Sequence, residues 1–270
     1  MKKIILLVLV CLFTLSLFGC GKDSEKTIKV GASSTPHAVI LEYIKPYIEE
    51  KGYKLEIVVY DDYVMPNIAL FEKELDANYF QHTPYLNSYN EQNHTDLESA
   101  FLVHYEPFGI YGKNIDDLNN LKAGAKILIP ADDSNETRAL LLLAQAGLIT
   151  LKNGKNALTG ITTFDIENNN GYTVEAVEAS TVTSQLNNSD DGTIAVVNGN
   201  YALQAGLKVT DALEIEDKDG DAALTYANII AVRNGDKDNE KIKLLIEALN
   251  RNEVKEYIQN TFNGSVLPIF

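Results

Sequence analysis

The sequence predicts an α/β fold of two lobes that close like a clamshell and are joined by two crossover strands. Short apolar runs alternate with helical patterns along the chain, which is typical of α/β folds with largely parallel sheets. Two further strand-forming runs, residues 101–113 and 222–233, stand where the chain would leave a first lobe and return to it. The alternative that spacing leaves open is one continuous open-sheet domain.

The crossovers divide the chain into segments. We expect a signal peptide at residues 1–19, a polar tether at 20–26, lobe one at 27–110 plus 227–270, and lobe two at 111–226. Each lobe then has the size of an ordinary domain. A cleft between two lobes is a favoured place for a small ligand.

The N-terminal segment carries an export signal. Lys2 and Lys3 precede an apolar stretch at residues 4–18, which is shorter than the roughly 20 residues that span a bilayer. The stretch ends in Leu-Phe-Gly-Cys20, which looks like a bacterial lipobox although Phe is unusual there. We therefore predict a lipid anchor at Cys20, on the extracytoplasmic face of the bacterial cell membrane. A plain secretory signal is the alternative.

The cysteine content and the net charge exclude some classes of site and partner. Cys11 lies in the discarded segment and Cys20 would be blocked by lipid, so the mature chain would have no disulfide and no cysteine metal site. The chain carries 38 acidic against 23 basic residues, a formal net charge of −15. This balance argues against nucleic acid as a partner, because nucleic-acid binding needs a basic surface.

The elements of lobe one follow from local patterns. Strands are predicted at residues 27–31, 54–60 and 76–80, and helices at 37–51, 65–75 and 85–93. Pro46 should kink or break the first helix, because proline removes a backbone donor. Pro84 should begin the third helix, where a missing N–H has no effect.

The remaining elements are predicted in the same way. Strands are expected at residues 125–130, 173–179 and 193–197, and helices at 130–147, 237–249 and 252–262. In the helix at 130–147, Asp133 followed by Glu136 resembles a capping box. Gly147 should end that helix.

An aromatic strand-to-helix corner is the first candidate site. Phe80, His82 and Tyr85 crowd the end of a short strand just around Pro84. Aromatic rings with polar tips at such a corner suit a small-molecule pocket. The alternative is an ordinary loop with a partly buried histidine.

Three polar residues are further candidates. Arg138 stands early in its helix, where it could hold a carboxylate, or else form a solvated pair with Glu136 or Asp133. Asn198 follows a strand and Asn228 lies in the second crossover. An amide offers both an acceptor and a donor, which suits an ammonium and a carboxylate on one ligand. Each asparagine could equally be a turn or cap residue.

The sequence predicts no metal site, cofactor or catalytic activity. The histidines, at positions 37, 82, 94 and 104, lack metal-ligand spacing. Residues 217–221 resemble a calcium loop only superficially, because the glycine and the closing acid are misplaced. No nucleophile elbow, zinc-protease motif or phosphate loop is present.

With these residues in view, the mature chain resembles the methionine-binding lipoproteins of the MetQ/NlpA family over residues 28–268. The segments that carry the resemblance are residues 61–67, 76–85, 135–143, 195–198, 226–228 and 262–264. The resemblance implies a clamshell like that of periplasmic binding proteins. It also implies methionine as the ligand, and as a further partner an ABC importer permease with a cytoplasmic ATPase.

The resemblance also implies roles for single residues. Arg138 would hold the ligand carboxylate, and Asn198 and Asn228 would bind its carboxylate and ammonium ends. The side-chain pocket would be lined by Tyr63, Phe80, His82 and Tyr85. Residues 31–37 are only loosely like the family, so the resemblance gives Ser33 and His37 no secure role.

Three other functions stay open at this point. The same fold could serve another small amino acid or a methionine-containing dipeptide. A tethered hydrolase that uses His82 with a nearby carboxylate, or an adhesin without a ligand, would belong to a different class.

Overall fold

The structure is a computed structural model that describes residues 26–157, 159–217 and 221–270. The predicted signal peptide, Cys20 and almost all of the tether lie outside these residues, as does the centre of the calcium-like loop. In the part that is described, none of the helices is both long and apolar enough to cross a membrane.

Lobe one is built on a six-stranded sheet with the order β13-β4-β12-β3-β1-β2. Its strands are β1 (Thr27–Ala32), β2 (Lys54–Val59), β3 (Ala77–His82), β4 (Glu98–Tyr105), β12 (Asn228–Val232) and β13 (Leu267–Pro268). Its helices are α1 (Val39–Glu50), α2 (Met65–Phe71), α3 (Thr83–Asn93), α8 (Glu240–Leu249) and α9 (Asn252–Phe262). The main core of this lobe lies where α1, α8 and α9 cover the sheet with aliphatic side chains.

Lobe two is built on a five-stranded sheet with the order β11-β5-β10-β6-β9. Its strands are β5 (Gly109–Gly112), β6 (Lys126–Pro130), β9 (Thr173–Val177), β10 (Ile194–Val197) and β11 (Glu214–Ile215), and a separate hairpin joins β7 (Thr150–Leu151) to β8 (Ile166–Asn168). The helices are α4 (Asp133–Gln145), α5 (Val182–Asn187), α6 (Gly199–Gln204) and α7 (Asp221–Thr225).

The sheets are mixed, which corrects the prediction of largely parallel sheets. Strands β2, β1 and β3 run parallel to one another, and so do β10, β6 and β9. Two strands run the other way: β12 is antiparallel to β3 and β4, and β5 is antiparallel to β10 and β11. The alternation of elements correctly indicated an α/β fold but could not give the direction of these strands.

The crossovers are shorter than the sequence suggested. Residues 101–113 form two strands in different sheets, β4 and β5, separated by Glu106, Pro107 and Phe108. Pro107 has no N–H to donate to a sheet, so a continuous strand would be interrupted there. In the second crossover α7 occupies the start of the predicted run, and only β12 is strand. The predicted residue boundaries of the lobes stay a prediction.

Helix α1 continues through Pro46, so the predicted break at this residue is wrong. Pro46 lies on the exposed face of the helix, while Ile44 and Ile48 are buried on the opposite face. The packing of this apolar face holds the helix together across the lost hydrogen bond. Helix α2 ends at Phe71, four residues earlier than predicted.

Candidate functional site

Strand ends from both lobes meet at one place. His82 ends β3, Asn228 begins β12, and Asn198 directly follows β10. All three side chains are buried, with 6% of their surface exposed. Open α/β sheets hold ligands at the carboxyl ends of their strands, and the predicted polar residues converge on such an edge.

An aromatic cluster forms one wall of the site. The Tyr63 ring lies 5.7 Å from the rings of both Phe80 and Tyr85 and 4.9 Å from that of Tyr201. Tyr201, which belongs to lobe two, also donates from its hydroxyl to the backbone oxygen of Asp61, at 3.1 Å. The structure thus brings together the aromatic residues predicted to line a pocket and adds Tyr201, which the sequence analysis missed.

His82 is held in a single neutral form. Its Nδ1 accepts a hydrogen bond from the backbone N–H of Tyr85 at 3.1 Å, so the proton is on Nε2. That Nε2 lies 3.2 Å from Oδ1 of Asn135, across the gap between the lobes. Burial, and then the nearby charge of Arg138, lower the pKa of His82 to about 3. Both ring nitrogens are therefore engaged, and neither serves as a base.

Asn135 connects the two lobes and was not among the predicted site residues. Its Nδ2 donates to both carboxylate oxygens of Asp132, each at 2.9 Å. Its Oδ1 therefore points away and accepts from His82 and from Nδ2 of Asn198, the latter at 3.1 Å. The signals in the sequence were its place in the first turn of a helix and at the start of the family-like segment 135–143.

The cap of helix α4 differs from the prediction. Asp132, and not Asp133, is the N-cap residue, and its side chain accepts from the backbone N–H of Asn135. Glu136 does not complete a capping box, because its carboxylate accepts from the N–H of Thr163 at 2.8 Å. Both acids fit the local pattern, and only the packing of lobe two selects between them.

Arg138 is buried beneath the site, which rules out a solvated pair with Glu136 or Asp133. Its Nε lies 3.0 Å from both carboxylate oxygens of Glu216, and its Nη2 lies 2.5 Å from Oε2 of Glu216 and 2.8 Å from the backbone oxygen of Glu106. The guanidinium also covers the ring of Phe108 at 3.9 Å and that of Tyr226 at 4.5 Å. Nη1 donates no hydrogen bond within the described part of the chain.

Glu216 is the partner that the sequence analysis did not find. Burial alone would raise the pKa of this carboxyl, but Arg138, with hydrogen bonds from Tyr105 and the backbone N–H of Phe108, outweighs burial and leaves the pKa below its usual value. Tyr105 of lobe one donates to the same carboxylate at 2.6 Å. Because Glu216 occupies Nε and Nη2, only the Nη1 edge of Arg138 is left for a further anion.

Two buried amide atoms near the site have no hydrogen-bond partner among the described residues: Oδ1 of Asn198 and Nδ2 of Asn200. The other amide atom of each side chain is occupied, since Asn198 donates to Asn135 and Asn200 accepts from the Tyr63 hydroxyl at 2.5 Å. Buried polar atoms are nearly always paired, so an orphaned acceptor and an orphaned donor indicate a polar ligand. Asn200 was also missed from the sequence.

Three buried residues meet beside the site, two of them close in sequence and one far away, although the histidines lack metal-ligand spacing. One ligand atom each from His37, His104 and Glu106 lies within 4.8 Å of the others. However, Nε2 of His104 is only 2.7 Å from Oε1 of Glu106. Two ligands at 2.0–2.1 Å around a tetrahedral zinc would be about 3.3 Å apart. The distance is therefore that of a hydrogen bond, and the cluster is a hydrogen-bonded network.

The chain has clear relatives among known families and proteins. Residues 28–270 match the family model described as NlpA lipoprotein. The chain is 40% identical over 277 residues to the methionine-binding lipoprotein MetQ of Bacillus subtilis, covering 100% of this chain and 99% of that protein. It is 34% identical over 259 residues to the D-methionine-binding lipoprotein MetQ of Escherichia coli, covering 94% and 93% of the two chains.

Solved structures give the same relationship. A nutrient-binding protein from Burkholderia cenocepacia, solved bound to methionine, is 39% identical and superimposes with a TM-score of 0.84. The match covers 90% of this chain and 100% of that one. With its two-lobed α/β fold and its match to the family model from residue 28 to the C-terminus, the chain belongs to the NlpA lipoprotein family.

Proposed function

We propose that this protein captures methionine outside the cell and delivers it to an ABC importer. The observation that carries the proposal is the pair of orphaned amide atoms, an acceptor on Asn198 and a donor on Asn200, buried between aromatic rings and the two lobes. An α-amino acid supplies the matching ammonium donor and carboxylate acceptor. The names of the relatives, and the methionine bound in one of them, support this choice of ligand.

The rings of Tyr63, Phe80 and Tyr85, with His82 at their edge, would receive the ligand side chain. The ring centroids of Tyr63, Phe80 and Tyr85 lie 5.7–6.0 Å from one another, and that of His82 lies 6.4 Å from Tyr85, so the rings form one aromatic wall. A thioether is flexible and makes favourable contacts with aromatic rings. Methionine therefore fits this wall better than a charged side chain does.

Arg138 would meet the ligand carboxylate through Nη1. Its Nε and Nη2 are held by Glu216 and the backbone of Glu106, so the guanidinium is fixed before the ligand arrives. A preorganised cation loses little entropy when it binds an anion. Asn198 and Asn228 would complete the contacts to the two charged ends.

Closure of the lobes follows from where these groups lie. The site takes residues from both sheets, so all ligand contacts exist only when the lobes are together, and the ligand favours that state. In the boundaries that we propose, lobe one consists of residues 27–110 and 227–270, and lobe two of residues 111–226.

The protein is a binding protein and not an enzyme, in keeping with its family. His82, the residue that a hydrolase would have used, has no free lone pair, because Nδ1 accepts from Tyr85 and Nε2 donates to Asn135. The proposed partners are methionine and a membrane permease with its cytoplasmic ATPase.

Lipid at Cys20 would hold the protein on the extracytoplasmic face of the membrane. Replacing Cys20 with alanine is expected to release the protein, because the acceptor of the acyl chains is lost. Membrane fractionation after expression in a bacterial host measures this, with wild-type protein as the control. A variant that still sediments with membranes would show that the uncleaved segment or a partner is the anchor.

Methionine is expected to raise the melting temperature more than leucine, serine or glutamate. A ligand that binds only the folded state at a hundredfold excess over Kd stabilises it by about 2.7 kcal/mol. For a chain of this size the shift is roughly 5–11 °C. Leucine lacks the sulfur, and its branched side chain should fit a pocket for a linear chain less well. This difference should cost about 1–3 kcal/mol of binding free energy.

The same measurement on Tyr85→Ala checks the aromatic wall. The methionine shift should shrink, because Tyr85 contacts the proposed pocket and is only part-buried. Leu86→Ala is the control, since Leu86 is a buried member of a core cluster that Tyr85 only borders, and its loss should lower the ligand-free melting temperature instead. Equal shifts with all four amino acids, in ligand-stripped protein, would contradict methionine as the ligand.

A further inference from the structure

A buried polar network lies behind Asn228. Its members are Ser33, His37, Tyr79, His104 and Glu106, and all but Ser33 and Glu106 are completely inaccessible to solvent. The backbone of Asn228 pairs with His82 on one side and His104 on the other, so the network adjoins the site directly. Neither the local sequence nor the resemblance gave it a function.

Glu106 fixes the protonation of two imidazoles. Its Oε1 lies 2.7 Å from Nε2 of His104 and 3.4 Å from Nε2 of His37. A carboxylate accepts hydrogen bonds and donates none, so Nε2 of His104 carries its ring's hydrogen. The contact with His37 is a charge contact and not a hydrogen bond, and the negative charge of Glu106 favours the hydrogen on Nε2 of His37. Each Nδ1 is then an acceptor and meets a hydroxyl: that of Ser33 at 2.6 Å from His37, and that of Tyr79 beside His104.

This protonation fixes the orientation of the Asn228 amide. Nε2 of His37 lies 2.9 Å from Oδ1 of Asn228 and donates its hydrogen to that oxygen. The amide must therefore turn Nδ2 the other way. Within the described residues this Nδ2 donates no hydrogen bond. Asn228 is 6% exposed, and its Nδ2 is not among the fully buried atoms that lack a partner, so this donor keeps access from outside and can take an acceptor on a ligand.

A separate chain of contacts orients the Asn198 amide the other way, with its oxygen free and its nitrogen occupied. Asp132 fixes Asn135, whose Oδ1 accepts from Nδ2 of Asn198. The free atom of Asn198 is thus its oxygen, Oδ1. The two amides present an acceptor from lobe two and a donor from lobe one.

We propose that His37 is a positioning residue, which holds the amide donors of Asn228 toward the ligand carboxylate while Asn198 accepts from the ligand ammonium. The two asparagines then distinguish the ends of the amino acid, and Glu106 sets this polarity by keeping the hydrogen of His37 on Nε2. The inference rests on the proposed function, because it takes an α-amino acid as the ligand.

The test compares L-methionine with L-methioninol, in which a hydroxymethyl group replaces the carboxylate. His37→Met removes the donor to Asn228, whereas His37→Gln keeps an N–H donor at a similar distance from the backbone. By calorimetry, His37→Met should weaken methionine binding at least about tenfold, and His37→Gln should restore most of it. Methioninol binding should change much less in either variant, since it has no carboxylate for Asn228 to meet.

A purely structural role for His37 gives different results. It would weaken both ligands equally, and it would do so in an Asn228→Ala background as well. The positioning role predicts that His37→Met has no further effect on methionine affinity once Asn228 is alanine. Equal losses for the two ligands, or a full additional loss in that background, overturn the proposal.

If the His37 variants fold poorly, the variant Asn228→Asp tests the proposal in the same binding measurement. It replaces the donor with a second carboxylate, so methionine affinity should fall at least about a hundredfold while methioninol is retained. Unchanged or tighter methionine binding would show that Asn228 serves as an acceptor, and the proposal would be wrong. If the wild type binds methionine and the variants bind it with unchanged affinity, only this inference is rejected. If the wild type does not bind methionine, the proposed function is rejected as well.

Discussion

Replacing Arg138 with alanine is expected to lower the free energy of unfolding by about 3–5 kcal/mol, because it leaves the Glu216 carboxylate buried without its cation. Urea unfolding of the ligand-free protein measures the loss. Arg251→Ala is the control, since Arg251 is more exposed, pairs with Glu253 at 3.5 Å and lies over the ring of Tyr47 at 4.2 Å, and so leaves no buried charge behind. A loss no larger than that of Arg251→Ala would mean that Glu216 is neutral or solvated in the folded protein.

The same variant should weaken methionine binding by about 2–5 kcal/mol, as expected when one partner of a buried charge pair is removed. Glu216→Gln separates this effect from stability: it keeps the guanidinium and removes the competing negative charge. We therefore expect Glu216→Gln to bind methionine at least as tightly as the wild type. If Arg138→Ala folds and binds with unchanged affinity, Arg138 supports the fold only and does not hold the ligand.

Acidification from pH 7 to pH 5 is expected to act strongly through three buried imidazoles. Burial lowers the pKa of His37 to about 4 and those of His82 and His104 to about 3. The unfolded chain, with a histidine pKa near 6.5, binds protons in this range that the folded protein does not. Stability therefore falls as the pH falls, by about 1.8 kcal/mol for each histidine and about 5 kcal/mol for the three.

Other buried groups make stability rise as the pH falls, so the test compares the pH dependence of stability in the wild type with that in a variant. Burial raises the pKa of Glu106 and of Asp132, and these carboxyls gain protons in the folded state first. Their effect is common to the wild type and to His82→Gln, which keeps a donor toward Asn135. The variant should lose about 1.8 kcal/mol less stability between pH 7 and pH 5.

Urea unfolding at both pH values gives this difference. His94→Asn is the matched control, because His94 is exposed at the end of α3 in a left-handed conformation that asparagine tolerates. We expect its pH dependence to follow that of the wild type. If His82→Gln also follows the wild type, His82 is able to take up a proton in the folded protein.

Much of the architecture could be predicted from local sequence patterns. Helix α9 spans Asn252–Phe262, as predicted from its apolar period, and the strands at 54–60 and 193–197 were placed within one residue at each end. These elements depend on side-chain periodicity and on turn residues nearby in the chain, so neighbouring residues contain the information. The exceptions are instructive: Asp132 and Asp133 are equivalent as local caps, and the run at 101–113 gave no sign that its halves enter different sheets.

The features of the site also divide into those that the local sequence predicts and those that depend on the fold. The sequence by itself determined which residue types gather at strand ends and early in a helix, since Phe80, His82, Arg138, Asn198 and Asn228 follow recognisable local patterns and family segments. Only the tertiary structure decided their partners. Arg138 meets Glu216, 78 residues away, and His37 meets Asn228, 191 residues away. Such pairings depend on which side chains are buried together, where an unpaired polar atom is costly, and burial between lobes leaves no periodic signal in the chain.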